Sequence, residues 1–154
     1  MRIRALLSAS LLVLLVACGG TDDEGSGLVT VDEGGTIEIG STTIVIPPNA
    51  LTEDTEVVVS YASLDDYGVL ENGRDRVLVF DPPMSLTESA TITIDPGNPR
   101  PDAQQQYGSV YQFSDGDWRG LDVSTIIDAD GNVQSGVSWL GPTAVVIVDI
   151  PIDS

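Results

Sequence analysis

The sequence predicts an all-β chain folded as an antiparallel β-sandwich, and three observations lead there. From Leu28 onward the apolar residues come in short runs rich in valine, isoleucine and threonine, side chains that suit a pleated, half-buried surface. Glycine, asparagine, aspartate and proline interrupt these runs at short intervals, and those residues take tight turns at low cost. No stretch after the amino-terminal segment repeats apolar residues at the spacing of a long amphipathic helix.

Each element follows from its own pattern. Leu28–Val31 is the first predicted strand. Thr36–Ile39 and Ala90–Ile94 alternate with period two, which puts their isoleucines on one buried face. Thr42–Ile46 lies between them as a further strand. Glu56–Tyr61, Arg76–Phe80 and Thr143–Val148 are continuous apolar runs, the pattern of central strands covered on both sides. Gly108–Phe113, Trp118–Asp122, Ser124–Ile127 and Asn132–Ser138 complete the set. Turns are expected at Gly34-Gly35, Gly40-Ser41, Asn72-Gly73, Asp115-Gly116 and Asp130-Gly131, where positive φ is needed or cheap. Pro96, Pro99 and Pro101 lack backbone donors, so Pro96–Pro101 reads as a connection between sheets or between two halves.

Residues 1–17 carry the layout of a secretory signal: Arg2 and Arg4 precede an apolar run from Ala5 to Ala17. Thirteen helical residues reach only about 20 Å, short of the roughly 30 Å core a membrane-spanning helix must cross. The sequence Leu15-Val16-Ala17-Cys18-Gly19 resembles the lipobox of bacterial lipoproteins. That resemblance implies cleavage between Ala17 and Cys18, a diacylglyceryl thioether on Cys18, and a fatty acyl group such as palmitate on the new amino terminus. Each buried lipid CH₂ contributes about 0.8 kcal/mol, and more than one chain anchors stably. Gly19 in place of aspartate implies, by the same resemblance, the outer membrane of a diderm bacterium. Residues 18–27 read as a lipidated cysteine and a flexible acidic tether, because Gly19–Gly27 holds no large apolar residue. Residues 28–154 then form one sandwich domain.

Several segments of that domain together resemble the ZU5 family, an all-β module of animal cytoskeletal and receptor proteins and of bacterial surface lipoproteins. The likeness covers residues 31–94. Gly34-Gly35 and Ile46-Pro47-Pro48-Asn49-Ala50-Leu51 are similar to the family's paired glycines and its strand ending in Ile-Pro-Pro-Gly-Ala-Leu. Asn49 stands where the family has glycine, and asparagine tolerates the left-handed conformation best among other residues. Phe80–Leu86 followed by Ala90–Ile94 resembles the family's proline-containing turn and next strand. The self-cleaving step of some animal relatives needs His-Phe-Ser; here Gln112 precedes Phe113-Ser114, so that chemistry is not implied.

Charge narrows the function. The chain from Cys18 onward carries four arginines, no lysine and 24 acidic residues, a net charge near −20. Nucleic acid is thus not an expected partner. Such a field also repels anionic lipid, so membrane attachment falls to the lipid on Cys18. Histidine is absent, which removes imidazole metal ligands, the Ser-His-Asp arrangement and the usual neutral-pH base. Cys18 is the only cysteine, so no cofactor held by thiolates and no internal disulfide is expected.

The candidate sites are correspondingly few. Asp128 and Asp130 in Asp128–Asn132 resemble a calcium loop in composition, but the spacing is not that of an EF-hand, and a hairpin turn explains Asp130-Gly131 better. Tyr111, Phe113 and Trp118 bracket a turn and read either as a ligand platform or, preferably, as a core stripe. Tyr67 with Arg74 and Arg76 flanks Asn72-Gly73 as a second recognition patch. The leading expectation is a non-enzymatic, lipid-anchored envelope protein that works in protein interaction or surface architecture, its partner an envelope or extracellular protein. The alternative is a calcium-stabilised adhesion or carbohydrate-binding module. A carboxylate-dependent glycosidase is the third reading, since that reaction needs only two placed acids.

Overall fold

Period-two alternation obliges a strand to hide one face, and the chain satisfies that demand by stacking two sheets. In the computed structural model, which describes residues 23–121 and 125–149, the strands are β1 (Glu24–Val29), β2 (Gly35–Ile39), β3 (Thr42–Ile46), β4 (Thr55–Ser63), β5 (Gly73–Asp81) and β6 (Met84–Ile94). They continue as β7 (Gln106–Ser114), β8 (Asp117–Gly120), β9 (Ile126–Ile127), β10 (Val133–Leu140) and β11 (Thr143–Asp149). One 3₁₀ turn, Leu64–Tyr67, follows β4. The first sheet runs β1-β4-β5-β11-β7-β8 and the second β2-β3-β6-β10-β9. Every neighbouring pair is antiparallel. The predicted sandwich is therefore the observed fold.

The core lies where the alternating faces meet. Ile37, Ile44 and Ile92 form one cross-strand row on the second sheet, facing a layer that includes Val57, Val59, Leu78, Phe80, Val110 and Val145 from the first. Burying each such side chain contributes about 1.5–3 kcal/mol. β11 is covered on both sides as its run predicts, with Thr143–Ile147 all buried. β4 is not: Val57 and Val59 are buried, but Val58 and Ser60 on its other face are half-exposed, because no segment lies over them to the same degree. β6 begins earlier than its alternation suggests, at Met84. The register between β6 and β10 shifts where Val137 pairs with Ala90 but Trp139 pairs with Ser85, an irregularity that breaks the pattern in Leu86–Ser89.

Turn chemistry lies where the sequence places it. Asn49, Asn72 and Asp115 have positive φ, as do Gly34, Gly40, Gly116 and Gly131. Asn49 at φ 61° takes the left-handed conformation that suits its place after Pro47-Pro48. Pro96–Pro101 does carry the chain from β6 in one sheet to β7 in the other.

Residues 1–17, read from the sequence as a signal segment, Cys18 and Gly19–Asp22 lie outside the described residues, as do Asp122 and Ser124 at the ends of two predicted strands. The tether reading is corrected at its end: Glu24–Gly27 belong to β1, which pairs with β4 from Glu24 opposite Ser60 to Val29 opposite Thr55. Gly25 and Gly27 turn toward β2. A Cβ on Gly25 would lie 2.2 Å from the Glu38 carbonyl oxygen, and one on Gly27 would lie 3.2 Å from Ile37 Cγ1. These glycines let the edge strands of the two sheets close on each other, so they are packing residues.

Candidate functional site

At one end of the sandwich the inward positions change from apolar to polar. The inward side of β5 runs from Phe80 and Leu78 in the core to Arg76 and Arg74 at the strand's start. Beside them the Tyr61 hydroxyl shares a hydrogen bond with Thr42 Oγ1, which also accepts from the Asp95 N–H at 2.9 Å. Burial pushes the Tyr61 phenol up, against the lowering effects of the Thr42 bond and the Arg76 charge. It is therefore a neutral hydroxyl at any physiological pH. The Arg76 guanidinium lies over the Tyr61 ring, 4.9 Å from its centroid, a stacking that suits a planar, weakly hydrated cation.

Arg100 arrives from the proline-rich crossing. Its Nη2 lies 3.3 Å from Asp95 Oδ2, and its Nη1 donates to the Asp130 carbonyl and to Asn132 Oδ1, both at 2.9 Å. It ties the β6–β7 crossing to the turn between β9 and β10. Arg74 Nη2 donates to the Pro99 carbonyl at 3.0 Å, while its Nε is buried and has no acceptor. These groups surround a cleft of about 360 Å³ lined by 73–76, 95–98 and Arg100. Three of the four arginines that follow Cys18 thus meet at one opening. Among the described residues neither Arg74 nor Arg76 forms an ion pair; the pairs there are Arg100–Asp95 and Arg119–Asp115. In a chain with four acids for every base, two arginines without a carboxylate partner are the least expected feature.

Sequence proximity had grouped Tyr67 with Arg74 and Arg76, and the fold separates them. Tyr67 packs on the outer face of the first sheet, its ring 5.4 Å from Phe113 and 6.2 Å from Trp118, with Phe113 and Trp118 5.3 Å apart. Tyr111 shares that face beside Gly120. Tyr111 and Phe113 do form one stripe with Trp118 across the hairpin, but the stripe is not in the inter-sheet core. Val110 and Gln112 hold the inward positions of β7, and the buried Gln112 donates to the Trp139 carbonyl at 2.7 Å. The aromatics form a second apolar layer on the face where Val77, Ala144 and Val146 are buried outside the main core. Sequence reasoning missed Arg100 and Asp95, which line the cleft from the β6–β7 crossing, and Tyr61, which lies beneath Arg76.

Asp128 caps its own turn. Its Oδ1 accepts from the Asp130 and Asn132 N–H groups at 2.9 and 2.8 Å, and its Oδ2 accepts from Asn132 Nδ2 at 3.0 Å. Asp130 contributes its carbonyl to Arg100. Among the described residues no group of three acids, cysteines or histidines could hold a metal. Partial burial pushes the Asp128 carboxyl up, but the Asn132 and Asp130 hydrogen bonds and the Arg100 charge outweigh it and hold it below the usual range. A carboxyl depressed on folding adds stability above its unfolded pKa, near 4, and loses it as pH falls through the lower folded value. Asp128→Ala is expected to cost about 1–2 kcal/mol at neutral pH, the size of a lost turn cap. That cost should shrink in melts taken below the ordinary carboxylate range.

Chemically, the cleft offers cationic donors, and its half-buried carboxylate, Asp95, is already paired with Arg100. That arrangement can hold an oxyanion. No family model matches the chain, and no curated protein matches it.

Proposed function

We propose that the protein is a lipid-anchored, non-catalytic protein of the cell envelope that works by binding a partner protein, with the outer membrane as its site. The observation that carries this reading is the outward face of the second sheet. One cross-strand row there is Thr36, Val45, Thr91 and Gly136; the next is Glu38, Thr43, Thr93, Gln134 and Ile126. Glu38 is the single charge in these two rows, in a chain of net charge −18. Interface cores are depleted of charge because desolvating an ion costs far more than desolvating a hydroxyl or methyl group. A flat neutral face on an otherwise acidic body fits a docking surface, and the acids around it keep the protein soluble and selective. β2, β3 and β6, which build most of it, fall in the segment that resembles ZU5 modules.

The anchor rests on the lipobox-like Leu15–Gly19. Since β1 starts at Glu24, the spacer from Cys18 is shorter than composition suggests, and the domain would stand close to its membrane.

Two substitutions test the two halves. In a diderm host, Cys18→Ser is expected to move the protein from the membrane fraction to the soluble fraction, with the acyl mass absent from Cys18. Thr91→Glu places a carboxylate beside Val45 and Gly136 and is expected to lower yield of the cross-linked native partner about tenfold, about 1.4 kcal/mol, with an unchanged melting temperature. Unaltered fractionation would end the anchoring half, and unaltered cross-linking the docking half.

A further inference from the structure

The arginine cleft and the amino-terminal exit of the domain lie at the same end of the sandwich. The Asp23 carbonyl accepts from the Tyr61 N–H at 3.2 Å, and Tyr61 is the ring beneath Arg76. Cys18 is five residues before Asp23. Five residues span at most about 18 Å when fully extended. On the lipid-anchor reading, on which this inference depends for its orientation, Asp23 lies within that distance of the headgroup layer and the cleft opens at the same end of the domain.

Charge selects what such a cleft accepts. Among the described residues, the guanidinium groups of Arg74 and Arg76 have no carboxylate partner. Planar guanidinium forks fit phosphate oxygens in pairs. The surroundings are hostile to a bare anion, however, since Asp75 and Asp95 line the same opening and the body carries a large negative charge. An oxyanion that carries its own cation meets both conditions. At about 360 Å³ the cleft is at the small end of the range for ligand pockets, about 300–1,000 Å³.

We propose that this cleft binds a zwitterionic phosphoester of the ethanolamine headgroup class, its phosphate on Arg74 and Arg76 and its ammonium on the Asp95 side. The binding would orient the domain on the membrane that holds it. The same chemistry exists in soluble glycerophosphoethanolamine, so two arms separate the sources.

In the first arm, the full mature chain is titrated by calorimetry with glycerophosphoethanolamine, glycerol phosphate and ethanolamine. The zwitterion is expected to bind at least severalfold tighter than glycerol phosphate, and ethanolamine not to bind. Arg74→Gln with Arg76→Gln is expected to weaken the zwitterion about tenfold or more, while Arg119→Gln, which lies outside the cleft, leaves it unchanged. Arg76→Lys keeps the charge and the stem but loses the fork, so it serves if the double variant unfolds; it is expected to weaken binding severalfold. No binding, or binding indifferent to these changes, overturns the site; tighter binding of glycerol phosphate overturns the zwitterion.

In the second arm, the full lipidated chain is placed in phosphatidylethanolamine vesicles and in phosphatidylglycerol vesicles, and hydrogen exchange is read at residues 73–76. Slower exchange in phosphatidylethanolamine alone is the expected result. Equal exchange in both, with soluble binding intact, overturns the headgroup as source and leaves the soluble phosphoester. Should Cys18 carry no lipid, the first arm still stands or falls by itself.

Discussion

Gly34→Ala should destabilise the domain by about 3–5 kcal/mol. Two costs add at this position. Gly34 has φ 71°, and a side chain held in the left-handed region costs about 1–2 kcal/mol. A Cβ there would also lie 2.1 Å from the Ile46 carbonyl oxygen and 2.7 Å from the Pro47 carbonyl carbon, backbone atoms that no rotamer change can move aside. The Asn49 N–H donates to the Val31 carbonyl at 2.7 Å, and Thr30 and Gly34 exchange backbone hydrogen bonds. The clash therefore sits inside a laced junction of β1, β2 and β3, with few ways to relax. At a few degrees per kcal/mol for a domain of this size, the melting temperature should fall by about 10 °C or more. Gly35→Ala is the internal control, since its closest neighbours would be Val29 Cγ2 at 3.1 Å and the Leu28 carbonyl at 3.2 Å, without positive φ. A Gly34→Ala melt within about 2 °C of the parent would show that the turn is not held as described.

The same junction shows why the fold was readable and the cleft was not. Strand and turn signals are local: the alternation of Thr36–Ile39 and the Asp115-Gly116 pair act within a few residues of themselves, so a single sequence contains them. Asn49 was readable for the same reason. The cleft is assembled by topology. Arg74 and Tyr67 are seven residues apart, yet strand alternation and the turn after β4 send one inward and the other onto the outer face. Arg100 meets Asp95 only because the chain crosses between sheets there. Tyr111 and Phe113 were placed on one face by their period, but no period says which side of a sheet faces its partner; a second apolar layer on the outer side reads the same as a core. Asp128 differed again, since its hydrogen bonds, not its spacing, decide between turn cap and cation ligand.

Glycine is where composition misleads most, and Gly25→Val tests that directly. A run such as Gly19–Gly27, poor in large apolar residues, looks unable to contribute to a core. Yet Gly25 is buried, and the missing side chain is what allows β1 to lie against β2 at the closed edge of the sandwich. A Cβ would meet the Glu38 carbonyl oxygen at 2.2 Å and Ile39 Cβ at 3.4 Å, and β4 holds β1 from the other side. Valine has nowhere to go unless β1 leaves one of its neighbours. Losing the packing around that strand is expected to cost about 2–4 kcal/mol, in the upper part of the range for single substitutions. Exchange protection should vanish over residues 24–28 and survive in β11, whose residues are buried on both sides. Ser26→Val is the matched control: Ser26 is exposed on the opposite side of the strand, where a β-branched residue fits and should change stability by less than about 0.5 kcal/mol. Were the segment a tether, both variants would melt with the parent; that equality would remove β1, and with it the close approach of the cleft to the membrane.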